Sequence, residues 1–171
     1  ERIGMDNINT HVMAHTDTLL QGLLALRHSN GQPLITLYGP PNMTMRGGTV
    51  AFNLNTPDGQ LVEARAMEQK ANAENISVRT GCFCNPGAAE FAFNYLPDET
   101  YRCFTTVDPE QFTMQQFSSC MNDMPIGAIR ASSGIATNEA DIDRLISFMA
   151  SFVDFVPETD HLWRLPHVAG L

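Results

Sequence analysis

"VRTGCFCNPGAAE" (residues 78–90) places two thiols one residue apart, with an arginine ahead of them and an Asn-Pro-Gly turn behind. The run "ISVRT" before it has strand character. The alanines after it open a helix expected over residues 88–95. Strand, reactive-looking loop and helix start thus follow one another within a few residues, and the fold must be one that joins them so tightly.

The thiols admit several chemistries. Cys82 and Cys84 are spaced C-x-C, too tight for the C-x2-C to C-x4-C wrap of a structural zinc, and Cys103 and Cys120 stand alone in sequence. No metal is expected. A Cys82–Cys84 disulfide would close a small strained ring. Buried packing is the common fate of free cysteine, and it is the expectation for Cys103 and Cys120. For the loop pair, two readings stay open: buried filler, or a reactive sulfur. Arg79 and the backbone donors of the following helix would both favour a thiolate there.

Outward from the loop, the pattern alternates strands and helices. Residues 1–30 carry Met5, Ile8, Val12, Leu19, Leu23 and Leu26 at helical spacing, closed by Asn30-Gly31 and Pro33. "LITLYG" and "GGTVAFNLN" read as strands, the second with Val50, Phe52 and Leu54 on one face. Residues 61–73 return to helical spacing, a helix is expected over residues 109–120, and "GAIRASS" reads as the last strand. The last helix starts at Asn138, with Glu139 and Asp141 in its first turn and Ile142, Leu145, Ile146, Met149, Phe152 and Val153 inward. The fold expected is α+β: a small, mainly antiparallel sheet of three or four strands covered by helices on one side. Three segments are expected: a connecting helix over residues 1–31, an α+β domain over 32–156, and a tail over 157–171.

Composition narrows the partners. Ten basic residues against nineteen acidic ones give a net charge of −9, which counts against binding a phosphate backbone. No apolar run is long enough to cross a bilayer. The charged, amphipathic N-terminus is not a signal peptide and begins mid-helix, as if cut from a longer protein. Sparse, unevenly spaced cysteines suggest a reducing, cytoplasmic setting. His11 and His15, spaced i,i+4, lack the glutamate of a zinc-protease helix, Val12 standing in its place, and read as surface or domain-contact histidines. Arg130, on the last strand among small residues, can present a planar fork to a carboxylate, either a ligand's or the protein's own.

"VRTGCFCNPGA", "RGGTVAFNLNTPDG" and "GAIRASSGIATNEADIDRLISFM" together resemble the C-terminal part of class V aminotransferase-fold proteins, the cysteine desulfurases that depend on pyridoxal phosphate (PLP). The form of the thiol loop is similar to that in the NifS-like domain of molybdenum cofactor sulfurases. The resemblance runs roughly from Ile3 to Val153. It implies the small domain of a fold-type I PLP enzyme, with Cys84 as the cysteine that takes substrate sulfur as a persulfide. It implies Arg130 as the grip on the α-carboxylate of L-cysteine or another amino acid, Arg79 as a shaper of the site, and Cys82 as an auxiliary thiol or packing. It also implies partners: the chain's own large PLP-binding domain, a second copy in a homodimer, and a sulfur acceptor. Two departures stand out. Ala89 replaces a further cysteine, and the only lysine, Lys70, lacks the preceding histidine of a Schiff-base lysine, so cofactor-binding residues are expected in the large domain and the fragment alone is expected to be inactive. Two other functions fit the same residues: an aminotransferase or lyase with incidental cysteines, and a PLP-free module that binds or relays sulfur.

Overall fold

A computed structural model describes residues 3–83, 85–106, 110, 112–122, 124–157 and 162–163. The elements run α1 (Met5–Ala25), β1 (Ile35–Tyr38), β2 (Thr49–Leu54), β3 (Leu61–Val62), α2 (Ala64–Ala73), β4 (Arg79–Gly81), α3 (Pro86–Phe93), α4 (Pro97–Thr106), α5 (Met114–Cys120), β5 (Ala128–Ser132), α6 (Glu139–Ala150) and β6 (Leu162–Trp163). Four strands form one antiparallel sheet in the order β1-β2-β5-β4, and β3 pairs with β6 in a separate two-stranded ladder. The α+β class with a small antiparallel sheet is the one expected.

The sheet's first face is built by alternation. Val50, Phe52 and Leu54 of β2 and Ile129 and Ala131 of β5 point to the same side and are buried. Onto them pack Leu19, Leu20 and Leu23 of α1, Met67 and Ala71 of α2, and Ile142, Leu145, Phe148 and Met149 of α6. Burying each such side chain stabilises the fold by about 1.5–3 kcal/mol before entropy is counted. Helix α6 starts as expected at Asn138, whose side chain accepts from the Asp141 amide while Asp141 accepts from the Asn138 amide. The inward face gains Phe148, and Ile146 and Val153 are only partly buried.

The second face is covered too, against the expectation of helices on one side only. A smaller cluster of Phe93, Tyr95, Cys103, Phe117, Met121, Met124 and Ala128, built by α3, α4 and α5, caps part of it. Helix α4 was not expected from sequence, and its presence changes the reading of two cysteines. Cys103 on α4 and Cys120 at the end of α5 are not separate buried thiols but a disulfide, their Cα atoms 5.7 Å apart. The turn of α4 aims Cys103 inward at α5, a juxtaposition that a separation of 17 residues does not announce.

Four boundaries shift, the first being the helix expected over residues 88–95, which runs Pro86–Phe93 because Asn85 caps it earlier. Helix α1 ends at Ala25, because Arg27 leaves the helix to bridge Pro33. The helix expected from residue 61 begins at Ala64, because Leu61–Val62 pair with Leu162–Trp163 first. The helix expected from Pro109 begins at Met114, where Thr113 and Gln116 form a reciprocal cap.

Candidate active site

Residues that alternate away from the first core line the second face. Strand register places Tyr38 beside Ala51, Ala51 beside Arg130, and Arg130 beside Arg79, one row across all four strands. Two arginines are therefore cross-strand partners on β4 and β5, with side chains on the same face of the sheet. Like charges directly opposite in a ladder are destabilising unless something negative lies between them. Among the described residues no carboxylate comes within ion-pair distance of either arginine. Arg130 is half-buried, and its Nε is shielded from solvent without a hydrogen-bond partner. The structural carboxylate partner that its sequence neighbourhood allowed is thus absent among those residues.

The thiol loop begins where this row ends. Gly81, at φ 138°, turns the chain out of β4, a conformation L side chains rarely adopt. The loop backbone lies against Gly127 so closely that a Cβ there would sit 2.7 Å from the Gly81 carbonyl carbon and oxygen and 3.2 Å from the Cys82 nitrogen. Cys82 is a free, exposed thiol. Cys84 lies outside the described residues. Phe83, between them, packs edge-on against Tyr38 with centroids 6.0 Å apart and against Phe93 at 5.5 Å. Asn85 then caps α3, its side chain accepting from the Ala88 amide at 3.2 Å, with Pro86 in the first turn.

Tyr38 and Asn53 were not singled out by sequence. Burial pushes the Tyr38 phenol up to about 12, against the lowering effect of its hydrogen bond from Asn53. Burial likewise raises Tyr95, whose hydroxyl donates to the Pro125 carbonyl. Asn53 is fully buried on the central strand, where it donates to the Tyr38 hydroxyl at 3.1 Å and to the Gly127 carbonyl at 3.0 Å. The signal for Asn53 was its phase: it alternates with Val50, Phe52 and Leu54, and a polar residue in that phase reads as solvent-facing until α3 to α5 are known to cover it.

Other candidates fall away from this face. Lys70 sits on α2, on the far side of the sheet, with its ammonium 5.2 Å from the Phe155 ring centroid. It lines a cavity of about 660 Å³ between α2 and the chain beyond α6, with Met67, Phe152 and Phe155. His11 and His15 pack edge to face at 4.4 Å, and His11 Nε2 bonds the Thr137 carbonyl at 2.8 Å. No group of three metal-ligating side chains occurs among the described residues. No described helix is long and apolar enough to cross a membrane. The described residues do not fit PLP: the one lysine is across the sheet from the arginines and engaged with an aromatic ring.

No family model matches the chain. Among curated proteins, a molybdenum cofactor sulfurase of Pyricularia oryzae is 32% identical over 159 residues, covering 86% of this chain and 18% of that protein. A molybdenum cofactor sulfurase of Drosophila mojavensis is 35% identical over 152 residues, covering 85% of this chain and 19% of that protein. The one from Arabidopsis thaliana is 35% identical over 133 residues, covering 75% of this chain and 16% of that protein. The chain thus spans less than a fifth of the length of these relatives. Among solved structures, the apo cysteine desulfurase of Thermococcus onnurineus NA1 shares the fold, with a TM-score of 0.54 at 16% identity, over 89% of this chain and 27% of that one.

Proposed function

We propose, on the premise that this chain is a relative of the molybdenum cofactor sulfurases with the fold of a cysteine desulfurase, that it supplies the sulfur-accepting and carboxylate-binding half of a desulfurase site. Arg130, with Arg79 opposite it, holds the α-carboxylate of L-cysteine. Cys84 accepts the sulfur as a persulfide, and Cys82 is an auxiliary thiol or packing. The observation that carries the reading is the cross-strand pair of Arg79 and Arg130, without ion-paired carboxylates among the described residues, on the strand that leads into the exposed thiol of Cys82. A planar guanidinium binds a carboxylate through two parallel hydrogen bonds, fixing its orientation as well as its charge. Position 84 immediately precedes Asn85, the N-cap of α3.

The remaining chemistry belongs to polypeptide other than the described residues. PLP, which the family reading calls for, would be held by the large domain and would supply the electron sink for the amino acid. No step through it is derived from these residues, and the 171-residue chain by itself is expected to release no sulfide. Residues 1–31, which carry α1, act as the connection to the large domain, 32–156 as the small domain, and 157–171, which carry β6, as its C-terminal segment. A homodimer and a sulfur acceptor complete the partners; the Cys103–Cys120 disulfide stands against the reducing, cytoplasmic setting expected from the cysteine spacing.

The test is sulfide release from L-cysteine by the protein with its large domain. Cys84→Ser is expected to abolish it, and unchanged release removes Cys84 from the role. If release persists in the mutant while other amino acids undergo transamination or elimination, the thiols are incidental and the fold serves a different reaction. Persulfide transfer to the isolated chain from a donor protein would instead mark a relay module.

A further inference from the structure

We propose that Asn53 is a positioning residue for the thiol loop, joining from beneath the two surfaces between which that loop is held. The proposal deepens the reading above and rests on it for its link to catalysis, though not for its geometry.

The loop is clamped on two sides. On its backbone side lies Gly127, where any Cβ would collide with the Gly81 carbonyl. On its side-chain side, Phe83 seats in the corner made by Tyr38 and Phe93. Asn53 uses one amide proton on each jaw: one goes to the Tyr38 hydroxyl, the other to the Gly127 carbonyl. No other described side chain hydrogen-bonds to both. Its cost is also visible. Asn53 Oδ1 is buried with no hydrogen-bond partner. An unmet buried acceptor destabilises a fold, and a leucine of nearly the same size would remove it. What leucine could not supply is the two-armed donor. The amide's two donors join the two surfaces against which Cys82 and Phe83 lie.

The experiment compares this chain with Asn53→Leu and Tyr38→Phe by amide hydrogen exchange and thermal unfolding, with no substrate present. Asn53→Leu removes one unmet acceptor but also two buried donors, so the unfolding temperature is expected to fall modestly, while exchange over residues 79–83 becomes about fivefold faster or more. Exchange in α1 and α6 stays as before. Tyr38→Phe, which keeps the ring against Phe83 and removes only the oxygen, gives a smaller acceleration in the same segment, and the double variant adds nothing to Asn53→Leu. If Asn53→Leu does not fold, Tyr38→Phe alone decides: a local acceleration supports the clamp and none overturns it. Unchanged exchange over residues 79–83, or acceleration spread equally into α1 and α6, overturns the proposal. Because the readout needs no turnover, a failure of Cys84 to carry sulfur would leave this result standing. Absence of local acceleration would sink the clamp while sparing the sulfur chemistry.

Discussion

Arg130→Lys would keep the positive charge and lose the planar fork, which separates geometry from charge at the carboxylate. We expect KM for L-cysteine to rise about tenfold or more with kcat less affected, because a point charge replaces two parallel hydrogen bonds. Steady-state kinetics of the full enzyme check this, and an unchanged KM would show that Arg130 does not hold substrate. Tyr38 makes a separate prediction. Its phenol is raised from its ordinary value of 10 to about 12 by burial. The folded chain therefore binds a proton that the unfolded chain has lost between those values. Its contribution to stability is complete below pH 10 and disappears as pH climbs through 12. Denaturation midpoints from pH 9 to 12 should fall in the native chain and fall less in Tyr38→Phe. At this scale the sequence was legible where chemistry is intrinsic to the side chain: arginines and thiols announce themselves. Asn53, Tyr38 and Gly127 did not, because their meaning lies in cross-strand neighbours 15 and 74 positions away from Asn53.

Helices and strands carried different amounts of readable signal. Strands β2 and β5 and helix α6 were legible because alternation, apolar spacing and an asparagine cap all agree locally. Asn138→Ala should cost about 1 kcal/mol, measured by chemical denaturation, since it removes the side chain that meets the Asp141 amide. Helix α4 was missed: "PDETYRCFTT" is largely polar and buries only Thr100 and Cys103, so no apolar stripe marks it. The strand β3 was missed for another reason, since its partner β6 lies at the far end of the chain. The bridge between α4 and α5 gives the sharpest test. A cross-link closing 17 residues is worth about 3 kcal/mol in the chain-entropy account. Replacing Cys103 and Cys120 together by alanine and serine should lower stability by that order, and reductant should have the same effect on the native chain and none on the variant. Mass spectrometry of the unreduced chain, showing both thiols alkylated, would remove the bridge.

Across the molecule, two cores of unequal size share one sheet, and the exposed surface is distributed accordingly. The first half of α1 runs past the core, with Met5 74% exposed, while Leu19, Leu20 and Leu23 in its second half are fully covered. Phe91 and Tyr101, on the smaller core's helices, are similarly open. The overall class was legible because a four-strand antiparallel sheet with intervening helices is written in local patterns. The two-sided covering was not, because it depends on helices whose partners are remote. The arrangement of Arg79 on an outermost strand against Arg130 on an inner one has a thermodynamic corollary. Filling the gap between them with a carboxylate should fasten the sheet's margin, so that ligand occupancy and melting become linked. An unreactive amino acid at a hundred times its dissociation constant would add about 2.7 kcal/mol, and a chain of this size gains about 2–4 °C in Tm for each kcal/mol. Differential scanning fluorimetry should register that upward shift in the native chain and lose it in Arg130→Ala, making heat resistance a direct gauge of how firmly substrate is held.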